Sequence, residues 1–252
     1  MSNFAITFSP TGGTLRVVQA VTSAWQDVRH IDLSEPAKTF DEVAFGKSDL
    51  VAIAMPVYSG RIPAFAVRRL LQMKADGSKC VIIAVYGNRA YEDALVELQD
   101  TAAKCGFDVI AAITAVAEHS IMRQFATGRP DKDDAAELAE FGRRIMEAVH
   151  TADSKALCLP GNRPYKNVDG GAFVPKATHR CTGCGICARS CPAQAIDTDD
   201  PRRVDKSRCI GCFRCVSVCP EHARRFNPLL LKSFAMLMGK AFAGRKPNEL
   251  FI

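Results

Sequence analysis

The chain lacks any apolar run near the roughly 18 residues that a membrane-spanning helix needs; a representative stretch, "VIAAITAVA" (109–117), is far shorter. It also lacks the start of an export signal. "MSNFAITFSP" has no basic opening and no small-residue cleavage site, so a cytoplasmic location is expected. No paired carboxylates or Ser-His-Asp order points to substrate chemistry. Tryptophan occurs once, as Trp25 at the end of a helical pattern, where a core position is expected. Cysteine is sparse over the first 180 residues, with only Cys80, Cys105 and Cys158.

The other eight of the 11 cysteines crowd between Cys181 and Cys219. With no export signal, such crowding favours metal ligation over disulfides. Charge divides the same way. Residues 1–150 carry 16 Lys/Arg against 19 Asp/Glu, whereas residues 151–252 carry 17 against 8. The asymmetry suggests two bodies with different partners, the basic one able to steer an acidic partner; a merely solvated basic face explains it equally well. Basic charge alone gives nucleic acid little support, and no nucleic-acid partner is expected.

Residues 1–150 alternate between short apolar runs and helix-compatible stretches. The runs are 4–8, 28–33, 49–57, 79–87 and 107–117; the stretches are 14–26, 62–74, 90–104 and 132–149. Five buried strands interleaved with amphipathic helices predict an α/β parallel sheet covered on both faces. The segment between the second and third runs is long enough for a crossover, although its helix is poorly marked. Residues 151–177, with three prolines and three glycines, read as a connector. A compact cysteine-rich segment, 178–228, follows, and then a tail over 229–252.

The cysteine segment is an internal repeat: "CTGCGICARSCP" returns as "CIGCFRCVSVCP" 28 residues later. Each copy is C-x2-C-x2-C-x3-C-P. Three closely spaced thiolates can wrap one [4Fe–4S] cluster, while the proline-stiffened fourth completes the other cluster. The expected ligand sets are Cys181, Cys184 and Cys187 with Cys219, and Cys209, Cys212 and Cys215 with Cys191. Two zinc ions are the alternative, but tetrahedral zinc needs neither the third cysteine nor the Cys-Pro ending. Ile186, Ile210 and Phe213 would shield the clusters. Arg180, Arg189, Arg208 and Arg214 lie in or beside the runs, where cations would favour the reduced state or dock an acidic carrier. The stretch resembles a bacterial two-cluster ferredoxin.

The other motif is "FSPTGGT" (8–14), between the first apolar run and the first helical stretch. Helix-start N–H groups and Ser/Thr hydroxyls suit an anion, though such a turn also serves as a plain N-cap. No lysine completes a nucleoside-triphosphate loop and no G-x-G-x-x-G marks a dinucleotide site. The motif resembles the flavodoxin phosphate loop, [ST]-x-T-G-x-T. That resemblance implies FMN, with its phosphate at Ser9, Thr11, Gly12, Gly13 and Thr14, and a sheet of order 2-1-3-4-5. In "MPVYSGRIP" it implies ring contacts from Pro56, Tyr58, Ser59 and Gly60, with Tyr58 either stacked on the flavin or capping the sheet. In "YGNRAYEDAL" it implies Tyr86, Gly87 and Asn88, with Arg89 and Tyr91 either flavin contacts or a surface pair. His119, in "AEHS", either approaches the flavin or is structural.

Taken together, "FSPTGGT", "PVYSGRIP", the "YGNR" loop, "EHS" and both cysteine runs resemble the two-domain flavodoxin–ferredoxin fusion proteins of anaerobes. The fusion implies a flavodoxin-like domain over 1–150 and a small α+β bacterial-type ferredoxin domain over 178–228. FMN and two [4Fe–4S] clusters follow, in an electron-transfer protein that exchanges electrons with a redox protein such as a ferredoxin, flavodoxin or reductase. An FMN-dependent reductase acting on a quinone, nitro compound, cobalamin or free flavin is the competing function. Simple flavodoxins are more acidic and often place a tryptophan at the flavin; here only tyrosines are available. The tail carries an apolar face beside Lys232 and Lys240, compatible with packing on the domains or with contact at a membrane surface.

Overall fold

A computed structural model describes residues 2–151, 157–168 and 173–252, so parts of the 151–177 connector lie outside the described residues. The first strand, β1 (Asn3–Thr7), leads into α1 (Gly13–Val21) and β2 (Val28–Asp32). A two-residue strand, β3 (Ala44–Phe45), precedes β4 (Leu50–Pro56) and α2 (Ala64–Leu70). The short β5 (Lys74–Ala75), β6 (Lys79–Tyr86), α3 (Ala94–Lys104), β7 (Asp108–Val116) and α4 (Lys132–Thr151) complete this half. No helix forms between β2 and β4. Residues 33–49 instead run through turns and β3, which pairs in parallel with β5.

The five long strands lie parallel in the order β2-β1-β4-β6-β7. In chain order this is second, first, third, fourth, fifth, the doubly wound flavodoxin-like arrangement. Almost every residue of β4 and β6 is buried, because helices cover both faces. On one face Ile6, Ile53 and Ile82 align across the sheet and pack with Leu70, Leu95 and Leu98 of α2 and α3. On the other, Ala5, Ala52 and Val81 meet Val17, Val21, Leu138 and Ile145 of α1 and α4. Gly142 lets those helices touch, since a Cβ there would lie 1.9 Å from the Val21 carbonyl oxygen.

The cysteine-rich segment forms a small unit. It contains β8 (Lys176–Ala177), one-turn helices α5 (Ile186–Arg189) and α6 (Arg214–Ser217), and β9 (Arg224–Arg225), which pairs antiparallel with β8. The sequence repeat is also a conformational one. Left-handed backbone recurs 28 residues apart at Gly183 and Gly211, Gly185 and Phe213, and Gln194 and His222. Phe213 (φ 61°) adopts a conformation that bulky residues avoid unless their surroundings impose it.

The chain then forms α7 (Pro228–Met238), capped by Asn227 and led by Pro228. It ends in β10 (Glu249–Phe251), antiparallel on β7. The sheet therefore has a sixth, antiparallel edge strand beyond the expected five. Three residues were too few to stand out as a strand in the sequence; pairing with the exposed edge of β7 creates it. No described helix is long and apolar enough to cross a membrane.

Candidate functional site

The strand order reverses between β1 and β4, and at such a switch point the loops leaving the carboxyl ends diverge to leave a crevice. Here it is a cleft of about 930 Å³. Its wall takes Ser9, Pro10, Thr11, Gly13 and Thr14 from the loop after β1, and Pro56, Tyr58 and Ser59 from the loop after β4. Tyr86, Gly87 and Arg89 follow β6, and His119 to Met122 follow β7.

The loop after β1 is shaped as an anion cradle. Gly12 takes φ 89°, which turns the chain into α1. The Ser9 N–H donates to Ser34 Oγ (2.8 Å), and Ser9 Oγ accepts from the Leu15 N–H (2.9 Å). The backbone N–H groups of Thr11, Gly13 and Thr14 have no acceptor among the described residues, and no partner binds the Thr11 or Thr14 hydroxyls. Such unsatisfied donors at a helix start fit a phosphate without a basic side chain.

The loop after β4 is held by a two-residue turn at Ser59 and Gly60, in which Tyr58 and Arg61 exchange backbone hydrogen bonds. Gly60 takes φ 84°, and a Cβ there would lie 2.9 Å from Glu92 Cβ, so glycine is strongly favoured. Arg61 grips Glu97 through Nε and Nη2 (2.7 and 2.8 Å), fixing the loop against α3. Burial, then the neighbouring Cys212, push the Tyr58 phenol well above its ordinary range. Tyr58 thus stands neutral between the cleft and the second cysteine run.

His119 is a second strongly shaped titratable group on the wall. Its Nδ1 accepts from the N–H groups of Ile121 and Met122 (3.1 Å each). That leaves the proton on Nε2, which has no partner among the described residues. Burial holds the imidazole down at about 4, so the ring is neutral across the physiological range.

Four expected residues are off the wall. Gly12 and Gly60 shape turns beneath it. Asn88 turns its side chain to the C-terminal segment, donating to the carbonyls of Phe242 and Gly244 (2.7 Å each). Tyr91 donates to Glu249 (3.1 Å), and the Tyr86 hydroxyl likewise reaches the Pro247 carbonyl (3.4 Å). Arg89 pairs with Glu92 while still lining the cleft.

Sequence reading missed the far wall. Leu231, Phe234 and Met238 of α7, with Phe242 beyond it, close the cleft on one side. The only signal was the helical spacing of those apolar residues. Cys209, Ile210 and Gly211 of the second cysteine run also line the cleft. Trp25 is buried in the α1–α4 core.

The eight cysteines of the repeat divide between two small hollows. Cys181, Cys184, Cys187 and Cys219 line one; Cys191, Cys209, Cys212 and Cys215 line the other. Each hollow thus takes three cysteines from one run and the fourth from the other. The Ala223 N–H donates to Cys219 Sγ (3.3 Å), as its repeat counterpart Ala195 does to Cys191 Sγ (3.4 Å). Among the described residues, no group of three His, Cys, Asp or Glu is placed to hold a single metal ion. Four cysteines framing each hollow suit a cluster bonded at its corners. Among the described residues, two buried guanidinium nitrogens, Arg214 Nε and Arg224 Nε, have no partner, as expected beside an anionic sulfur-rich group.

Residues 180–223 match the 4Fe-4S dicluster domain family. No curated protein matches the chain. Similar solved structures include a flavodoxin from the domain Archaea, 15% identical with a TM-score of 0.39, covering 60% of this chain and 99% of that one. The flavodoxin of Fusobacterium nucleatum bound to flavin mononucleotide is 13% identical with a TM-score of 0.40, covering 58% and 98%. Rubredoxin oxygen:oxidoreductase from the anaerobe Desulfovibrio gigas is 11% identical with a TM-score of 0.41, covering 60% and 36%. These likenesses add no weight to the flavodoxin-like order, which the strand pairing shows directly. The chain joins a flavodoxin-like parallel sheet to a 4Fe-4S dicluster domain, in the manner of the flavodoxin–ferredoxin fusions.

Proposed function

We propose that the protein is an electron-transfer iron–sulfur flavoprotein, passing electrons between an external redox partner, two [4Fe–4S] clusters and FMN. When bound, the clusters supply one-electron exchange and the flavin one- or two-electron exchange. One observation carries the reading: Cys209, Ile210 and Gly211 belong both to the second cysteine run and to the wall of the cleft. Residues suited to a cluster and residues suited to a flavin thereby share one wall, and a covalent chain keeps the two sites together without a diffusional encounter.

The chain's own residues divide the work. The free N–H groups and hydroxyls at 11–14 would hold the phosphate, and Tyr58 would bound the ring. The α7 side chains would exclude water from one side. His119, neutral with its proton on Nε2, offers a hydrogen-bond donor at the wall. At the other hollow, Thr182, Gly183 and Cys184 are exposed, and Arg189 and Arg202 donate to the carbonyls of Cys184 and Cys181 (3.1 and 2.7 Å). This face is basic and open, as docking of an acidic ferredoxin or flavodoxin requires.

The cleft volume favours a second reading. At about 930 Å³ it lies at the upper end of small-molecule sites, leaving space for a small acceptor beside FMN. Anaerobic purification with iron, sulfide and flavin counts tests the main proposal. About eight irons and one FMN per chain are expected; two zinc ions without iron would overturn it. Steady turnover of a quinone or nitro compound would favour the reductase, and exchange with a protein carrier alone would favour electron transfer.

A further inference from the structure

The 28-residue repeat places Ile186 and Ile196 of the first copy opposite Arg214 and Arg224 of the second. Two apolar positions in one copy are therefore cationic in the other, on a backbone that repeats closely (Gly185 against Phe213, Gln194 against His222). The exchange is chemically severe. Arg224 is 2% exposed and lines both hollows. Its guanidinium donates to the carbonyls of Pro175 and Pro201, yet among the described residues it has no carboxylate partner and its Nε has no partner. Arg214 lines the second hollow only, and its Nε is likewise buried and unpartnered.

A buried cation without a counter-charge is strongly disfavoured unless an anion completes its surroundings. Arg224 is such a cation, whereas Arg214 is half-buried with only its Nε shut off from water; both line the cysteine hollows. We propose, on the basis of the iron–sulfur reading above, that Arg224 and Arg214 are electrostatic positioning residues. They make the second hollow, which shares a wall with the cleft, the more favourable resting place for an electron.

The physical basis is that each electron added to a cluster adds negative charge, and a nearby cation at least partly withdrawn from water stabilises it. Arg224 acts on both hollows, whereas Arg214 acts on one, and so the sum favours the second. The cations at the first hollow do not offset this. Arg189 and Arg202 are exposed, where water and salt screen them. Electrons from an external one-electron donor would therefore settle beside the cleft. Of the four arginines flagged in the sequence, only Arg214 has such a buried nitrogen. Arg224 lies just outside the second run and stood out only through its burial.

The test is an EPR-monitored potentiometric titration with dithionite, together with iron counts, on the wild type and on Arg214→Ile, Arg224→Ile and Arg224→Lys. The isoleucine variants restore the first copy's own residues. The wild type should show two one-electron steps. Arg214→Ile should lower the upper step by at least a tenfold change in the reduction equilibrium, about 59 mV, and leave the lower step in place. Arg224→Ile should lower both, and Arg224→Lys should retain most of the wild-type values. If Arg224→Ile loses iron while Arg224→Lys keeps eight, charge is the requirement and the proposal stands. Full iron with unmoved potentials in both isoleucine variants would overturn it. So would loss of iron in the lysine variant too, because the bonds to Pro175 and Pro201 would then be the whole role. A wild type without iron would instead defeat the iron–sulfur reading, and this assignment with it.

Discussion

Asn88 holds Phe242. Its Nδ2 donates to the Phe242 carbonyl at 2.7 Å and equally to Gly244, while its Oδ1 accepts from the Lys246 N–H at 3.3 Å. Phe242, so anchored, stacks on Phe125 (4.5 Å between centroids) and meets the His119 ring edge-on (5.3 Å). A residue in the loop after β6 therefore fixes the segment that closes the cleft.

Asn88→Ala should release that segment. The variant loses three hydrogen bonds and puts a Cβ-bearing residue without a local polar group at φ 66°. A loss of about 2–4 kcal/mol follows. Hydrogen exchange should rise over 228–251 and stay unchanged in β4 and β6. Equal exchange across the chain would mean that Asn88 supports the whole sheet.

Thr11→Val combined with Thr14→Val keeps the shape of the loop after β1 but removes both hydroxyls. FMN occupancy should fall at least tenfold on dialysis, with about eight irons retained. Full flavin retention in the double variant would place the phosphate elsewhere.

His119 predicts a pH dependence. Its folded value of about 4 lies below the ordinary 6.5, so the unfolded chain takes up the proton first as pH falls. Stability is unaffected above about 6.5, declines as pH falls below that value, and levels off below about 4. The total is roughly 3–4 kcal/mol. Unfolding free energies of the wild type and His119→Gln should differ in pH slope only in this window, and NMR of the ring should show no protonation at pH 6.

Asp134→Ala should be among the most destabilising substitutions. Arg129 donates to both Asp134 oxygens (2.8 and 2.6 Å), with side chains only 5% and 1% exposed. Removing the carboxylate strands a buried guanidinium, at about 3–5 kcal/mol. Asp134 also accepts from Arg245 (3.0 Å) and Asn248 (3.1 Å), so β10 should loosen with it. Chemical denaturation would measure the loss. A variant as stable as the wild type would show that water replaces the carboxylate.

The five long strands were legible because both faces of the sheet are covered, which makes β4 and β6 continuous apolar runs. The cysteine repeat was legible because cluster ligation by short loops imposes fixed spacing. The pairing of β10 was not, since Glu249, Leu250 and Phe251 carry no periodicity and become a strand only against Ile113. The sequence pattern sets Asn88 beside a flavin and Tyr91 either there or in a surface pair; their polar groups instead meet a segment some 150 residues away in sequence, which local pattern does not encode. Leu231, Phe234 and Met238 carried a helical pattern with no indication of what the helix would cover.

By itself, then, the sequence pointed to two chemistries: a Ser/Thr/Gly turn between a strand and a helix suited to phosphate, and two cysteine runs whose spacing implies interlocked ligand sets. Both are local, set by residue types at short separations. The tertiary structure alone decided that Ile210 would lie on the wall of the cleft, that the C-terminal segment would close it, and that Arg224 would lie buried between the two hollows. Those outcomes depend on long-range packing and on which charges are removed from water, and no short stretch of chain specifies either.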